Sequence, residues 1–245
     1  MMSVTSEKDF WDKIQNPLTR LSDPSEILRG AIYALDAFED SRVTLASSAI
    51  ICYRYMDLQE PMPEALISKI AHKINSSIEK NKAKESSLIN LRWELSANMA
   101  FGTYWAAIGS CAEMNNSLKY NVSTFHTALL HGQPFTNVVK SYFLGGILNI
   151  AFKNQEGIEF FLENTGIFLS AANRIPANYI INNEFALEEL ALVYRILENS
   201  LKISNNSKSH DLAKINLLSI NNFEWKFMGN IYLQIVKKIY GQVSS

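Results

Sequence analysis

Apolar residues recur at steps of three and four along most of this 245-residue chain, the period of helices that bury one stripe. Breakers divide the pattern into segments. Asn16-Pro17 and Asp23-Pro24 close a short N-terminal piece, and Asp23 or Ser25 can cap a helix that starts near Glu26. That helix carries Ile27, Ala31, Ala34, Leu35 and Phe38. A second run, Val43 to Met56, stops at the Pro61-Met62-Pro63 loop. A third, from Glu64 to Asn81, aligns Leu66, Ile67, Ile70, Ile74 and Ile78, and the polar stretch 80–87 after it reads as an exposed linker. From Leu88 to Met114 the spacing predicts one long helix, or two joined at Gly102. Ala100, Thr103, Ala107, Ser110 and Cys111 share a face there, small enough to admit a close neighbour. Asn115-Asn116-Ser117 is expected to end this element, and Val122 to Leu130 to form the next, stopped by His131-Gly132-Gln133-Pro134.

Phe135 to Phe152 is apolar nearly all round, so it should be a central helix. Gly145-Gly146 inside it costs about 1 kcal/mol per glycine in helix propensity, which close packing has to offset. Amphipathic helices follow at Glu156 to Ala172 and Glu184 to Leu201. The second of these aligns Leu187, Leu190, Ala191, Tyr194, Leu197 and Leu201, and turns Glu184, Glu188, Arg195 and Asn199 to solvent. After an exposed loop at 204–209, a short helix near Leu212 to Leu218 and a final one from Phe223 to Tyr240 complete the chain, the last burying Trp225, Met228, Tyr232, Ile235 and Ile239. With no long linker, the expected fold is a single all-α domain, 1–245, of roughly eight to eleven helices in antiparallel hairpins. A subdivision, if present, is expected at 80–87.

Two architectures fit these hairpins, a globular helical bundle and a short helical-repeat stack. Trp105, Ile108, Gly109, Phe125 and Ala128, with Pro134 at the end, resemble the tetratricopeptide pattern of W-x2-L-G, a later A-x3-F-x2-A and a closing proline. Asn121 stands where that pattern wants a small alanine, and Ala112 replaces its tyrosine. Leu144, Gly145 and Phe161 give a fainter second copy. The resemblance implies a stack of helical hairpins with a concave face that binds protein.

Composition agrees with helices. Glycine and proline together number 16 (10 and 6), and leucine outnumbers valine by 26 to 8, which favours helices over strands. A net charge of -1 gives no reason to expect nucleic acid or an anionic membrane as partner. The charge-free stretches Leu95 to Ala112 and Tyr120 to Val139 carry too many polar residues for a bilayer span. MMSVTSEKDFWDKIQ has no apolar run of the secretory type. Cys52 and Cys111 lie in apolar surroundings without a CxxC or a histidine partner, so reduced core thiols and a cytoplasmic location are expected.

Candidate chemistry is sparse. Asp36, Glu39 and Asp40 form a D-x2-E-D cluster; on one helix Asp36 and Asp40 would share a face, as in the D-x3-D helices of all-α isoprenoid synthases, to which the spacing is similar. Those enzymes need a second acidic helix, and none is found here, so a solvated helix end is expected. His126 and His131 lie about 140° apart around a helix, which prevents chelation from one turn. Neither nucleophile elbows nor phosphate loops are present. Three arginines stand beside aromatics: Arg54 between Tyr53 and Tyr55, Arg92 before Trp93, and Arg195 after Tyr194. Such a guanidinium can stack and offer its fork to a carboxylate, or simply snorkel from an ordinary helix.

The expected function is therefore a non-catalytic interaction or adaptor protein, presenting a groove to a protein or peptide. Arg54, Tyr55, Arg92, Trp105, His126, His131 and Arg195 are its candidate binding residues. The alternative is a helical-bundle enzyme or small-molecule binder with an enclosed pocket lined by the 135–152 helix. No cofactor or metal is expected, and Phe227 and Ile231 are candidates for self-association.

Overall fold

A computed structural model of the chain describes residues 4–15, 23–83, 88–124, 135–172, 183–204, 209–226, 228 and 230–244. Among them are eleven α-helices and no strand, so the fold class is all-α. None of the described helices is long and apolar enough to cross a membrane. The chain forms two compact units, Met1–Tyr104 and Trp105–Ser245, which divide within a helix.

The first unit begins with one turn, α1 (Glu7–Asp9), running into a π-helical turn at Phe10–Gln15. Phe10 and Ile14 are buried, and Ile14 fits over Gly30, where a Cβ would run into its side chain. Helix α2 (Pro24–Ala37) starts as its sequence dictates: Asp23 accepts the Ser25 N–H and Pro24 occupies the first turn. It ends at Phe38, and Asp40 caps α3 (Ser41–Leu58) by accepting the N–H groups of Arg42 and Val43. Asp36 and Asp40 therefore do not share a helix. Asp36 instead pairs with Lys69 at 3.0 Å, and Asp40 with Arg42 at 3.0 Å. The D-x2-E-D cluster is a helix end followed by a cap.

Burial tends to raise the Asp40 pKa, but the Arg42 side chain, the two backbone N–H groups and the Arg42 charge together outweigh it, and the value falls below the ordinary aspartate range. A depressed carboxylate contributes stability that is complete above the ordinary pKa of about 3.9 and is lost as the pH falls through the folded value. Asp40→Ala is accordingly expected to cost about 1 kcal/mol at neutral pH, typical of a lost cap. Thermal melts of the two proteins should converge at acid pH, and a pH-independent gap would refute the capping role.

Helix α4 (Glu64–Ala83) buries Ile70, Ile74 and Ile78 as its stripe predicts. Helix α5 (Leu88–Ala107) passes straight through Gly102, and the break after Ala107 falls between that glycine and the Met114 end expected of a single long helix. Gly109 takes φ +84°, its N–H reaching the Ala106 carbonyl and that of Ser110 the Trp105 carbonyl. This is a Schellman end, for which glycine is the natural residue. Gln59 closes α3 and Lys153 closes α7 (Phe135–Ala151) with the same bond pattern at φ 56° and 55°. The window resembling a tetratricopeptide thus straddles a helix end: Trp105 is helical and Gly109 is not.

In the second unit α6 (Cys111–Ser123) follows that break, so Asn115-Asn116-Ser117 lies inside a helix rather than ending one. Asn115 and Ser117 are buried against neighbours, and tertiary contacts override their turn preference. As its pattern predicts, α7 is central. Val138, Val139 and every side chain from Ser141 to Ile150 are buried, and α7 packs on α6, on α8 (Gln155–Ala172), on α9 (Asn183–Ser204) and on α11 (Asn230–Ser244). Phe161 of α8 occupies the notch over Gly145, while Val193 and Leu197 of α9 lie 3.3 Å from where a Gly146 Cβ would be.

The buried stripe of α9 is rotated from the expected one. Glu189, Val193, Ile196, Leu197 and Ser200 are buried, whereas Ala191, Tyr194 and Leu201 are only half-buried, because α9 meets α7 and α8 together. Helix α10 (Ser209–Asn222) is longer than its apolar run, and α11 starts at Asn230, not Phe223. The Trp225 indole N–H donates to the Ile220 carbonyl, and the N–H groups of Lys226 and Met228 go to Glu189 instead of to helical carbonyls.

Candidate functional site

The residues singled out by sequence separate between the two units. In the first, Arg54 is half-buried and paired with Asp57 of its own helix at 3.0 Å. Tyr55 beside it is half-buried, with its pKa raised by burial, then by Glu60 and Tyr104. Arg92 is exposed and lies over the Trp93 ring at 5.7 Å, and Trp93 in turn packs on Trp11 at 5.2 Å. In the second unit, Trp105 is half-buried on the last turn of α5, and Arg195 is exposed, its Nε donating to the Ala191 carbonyl at 3.4 Å. His126 and His131 lie outside the described residues, as does Phe227, and the side chain of Ile231 is not described.

Two buried polar clusters in the second unit were not anticipated. The first joins α6, α7 and the start of α8. Asn115 and Asn149 form a reciprocal amide pair, at 2.9 Å for Asn115 Nδ2 to Asn149 Oδ1 and 2.8 Å for the return bond. Asn149 Nδ2 also donates to the Gly145 carbonyl at 2.7 Å, and Gly157 leaves room where a Cβ would meet the Asn149 amide. The Asn115 and Asn154 amides donate to the Cys111 sulfur at 3.5 and 3.4 Å. Asn154 also caps α8 by accepting the Gly157 N–H at 3.3 Å.

Burial raises the Cys111 pKa despite those donors and the nearby Lys119, so the group is a thiol at neutral pH. A thiol is a poor nucleophile, and this cluster reads as a locked seam between helices. A hint was present in the sequence: Asn149 is the one polar residue among the apolar positions from Phe143 to Ala151.

The second cluster surrounds Glu189, whose carboxylate accepts Lys226 N–H at 2.6 Å and Met228 N–H at 2.9 Å. Lys140 of α7 is half-buried, with its ammonium 5.7 Å from the Tyr232 ring centre. Burial lowers the Lys140 pKa, and the Glu189 charge acts in the opposite sense. Adjacent glutamates at 188 and 189 concealed this site, since only their position on the observed stripe separates the exposed one from the buried one.

Among the described residues no group of three or more His, Cys, Asp or Glu could hold a metal ion. Their exposed large apolar side chains are Tyr33, Ile108, Ile215 and Leu218, and the last two lie one helical turn apart on α10, 55% and 60% exposed. Phe223 and Trp225, edge to face at 5.0 Å, follow directly on the same stretch of chain. No family model, curated protein or solved structure matches this chain.

Proposed function

We propose that this chain is a non-catalytic helical interaction protein, acting in the cytoplasm, and that α10 presents a contact face to a protein or peptide partner. The observation that carries the reading is the exposure of Ile215 and Leu218, adjacent on one helix face in a unit that buries most of its described aliphatic side chains. Paired apolar side chains left in water at helical spacing favour a partner with an apolar stripe of its own, such as an amphipathic helix. Phe223 and Trp225 would extend the face with aromatic area, the residue type that most often dominates binding energy. Arg92 over Trp93 and the exposed Arg195 are secondary candidates for polar contacts.

A photo-crosslinking residue at position 218 is expected to capture a discrete partner band, absent when it is placed at exposed Glu188 and lost in Ile215→Lys. The Ile215→Lys variant should melt as the wild type does, since the side chain is more than half exposed. Identical crosslinking at 188 and 218 would remove α10 as the contact face, and sedimentation velocity tells a self-partner from a foreign one. The small-molecule reading is favoured by one observation, the half-buried Lys140 ammonium of central α7 near Glu189 and Tyr232. It would gain if an amine-reactive probe labelled Lys140 ahead of the exposed lysines.

A further inference from the structure

The pattern Trp225, Met228, Tyr232, Ile235, Ile239 has helical spacing, yet the described residues of 223–228 are not helical. The departure has a specific cause. Glu189 is fully buried, and each of its oxygens accepts one backbone N–H from this turn, at Lys226 and at Met228. Those donors would otherwise be free to enter a helical ladder. The Lys226 ammonium lies 3.7 Å from Glu224, and Lys140 of α7 brings a charge that acts on Glu189 from a neighbouring helix.

We propose that Glu189 is a conformational latch for the turn between α10 and α11. With both oxygens as acceptors the turn is held to α9, and loss of one acceptor releases the turn while the helices stay packed. Helix α11 has its own attachment, for Tyr232, Ile235, Val236, Ile239 and Tyr240 are buried, and the Tyr240 hydroxyl donates to the Ile147 carbonyl at 2.9 Å. The release is therefore confined to the turn. The turn carries Phe223 and Trp225, so the latch sets how that pair is presented beside α10. This last consequence rests on the proposed contact face, whereas the latch itself does not.

Glu189→Gln tests it in the full-length chain, because the amide keeps the shape, retains one acceptor and turns an N–H donor toward a backbone N–H. Amide hydrogen exchange at Lys226 and Met228 should quicken roughly 10- to 100-fold, with α7, α9 and α11 at wild-type rates. Exchange of the wild-type turn should also be nearly independent of low urea concentrations, the mark of local opening. Unchanged rates at 226 and 228 would overturn the latch. Equal acceleration across α9 and α11, or a variant that does not fold, would overturn it too, by showing that Glu189 supports the whole unit. Neither readout involves Ile215 or Leu218, so failure of the latch and failure of the contact face are separate results.

Discussion

Phe161→Ala is expected to lower the stability of the second unit by about 3–5 kcal/mol, the range for emptying an aromatic site in a packed core. The ring is fully buried, tilted against Tyr142 at 5.9 Å, edge-on to Phe160 at 5.2 Å, and set into the notch left by Gly145. Because a domain of this kind is stable by only about 5–15 kcal/mol, the loss should be plain in urea denaturation. The partner of the notch supplies the sharper measurement. Gly145→Ala gains about 1 kcal/mol of helix propensity but drives a methyl into the Phe161 ring, and overpacking of that kind costs about 1–3 kcal/mol. In the wild type the clash should win. In a Phe161→Ala background the same substitution enters an empty notch and should stabilise. The two changes are thus expected to couple by about 0.5–3 kcal/mol, and simple additivity would show that the ring does not depend on Gly145.

That notch also marks how far the sequence could be read. Gly145-Gly146 in an apolar helix could only mean close packing, and α7 is central for the reason its pattern predicts. Caps were legible at Asp23, where an aspartate precedes a proline. Elsewhere the same local rules misled. Asn115-Asn116-Ser117 has turn composition, but Asn115 finds its amide partner on another helix, so the stop signal is cancelled by a contact 34 residues away. The run from Phe223 to Tyr240 has helical spacing, but Glu189, 37 residues before Lys226, takes the N–H groups of Lys226 and Met228 near its start. Gln59 and Lys153 end helices in a conformation that glycine usually marks, so nothing local announced them. The candidate site was less legible than the fold for the same reason. Exposure of Ile215 and Leu218 and burial of Glu189 depend on which face of α10 and α9 the neighbours leave open, and periodicity does not state that.

Asn149 should respond to substitution in a way that depends on what its partner becomes. Asn149→Leu removes both halves of the amide pair and leaves Asn115, only 6% exposed, with a donor and an acceptor unmatched. Each such orphan costs about 1–3 kcal/mol, so a loss of about 2–6 kcal/mol is expected from the two. Adding Asn115→Leu should recover much of it, since replacing both partners by apolar groups leaves nothing unsatisfied. Asn149→Asp separates the hydrogen-bond argument from the packing one. Its shape is unchanged, but one oxygen now stands where Nδ2 donated, facing Asn115 Oδ1 and the Gly145 carbonyl. A protonated carboxyl can still donate there and a carboxylate cannot, which, with burial, raises the folded pKa of the new group above the unfolded value of about 3.9. The variant should therefore approach the wild type below about pH 4 and fall steadily behind as the pH rises through the raised value. Urea midpoints measured across that range decide the matter: a constant deficit would mean that Asn149 fills space, and a growing one that its donor holds α6 to α7.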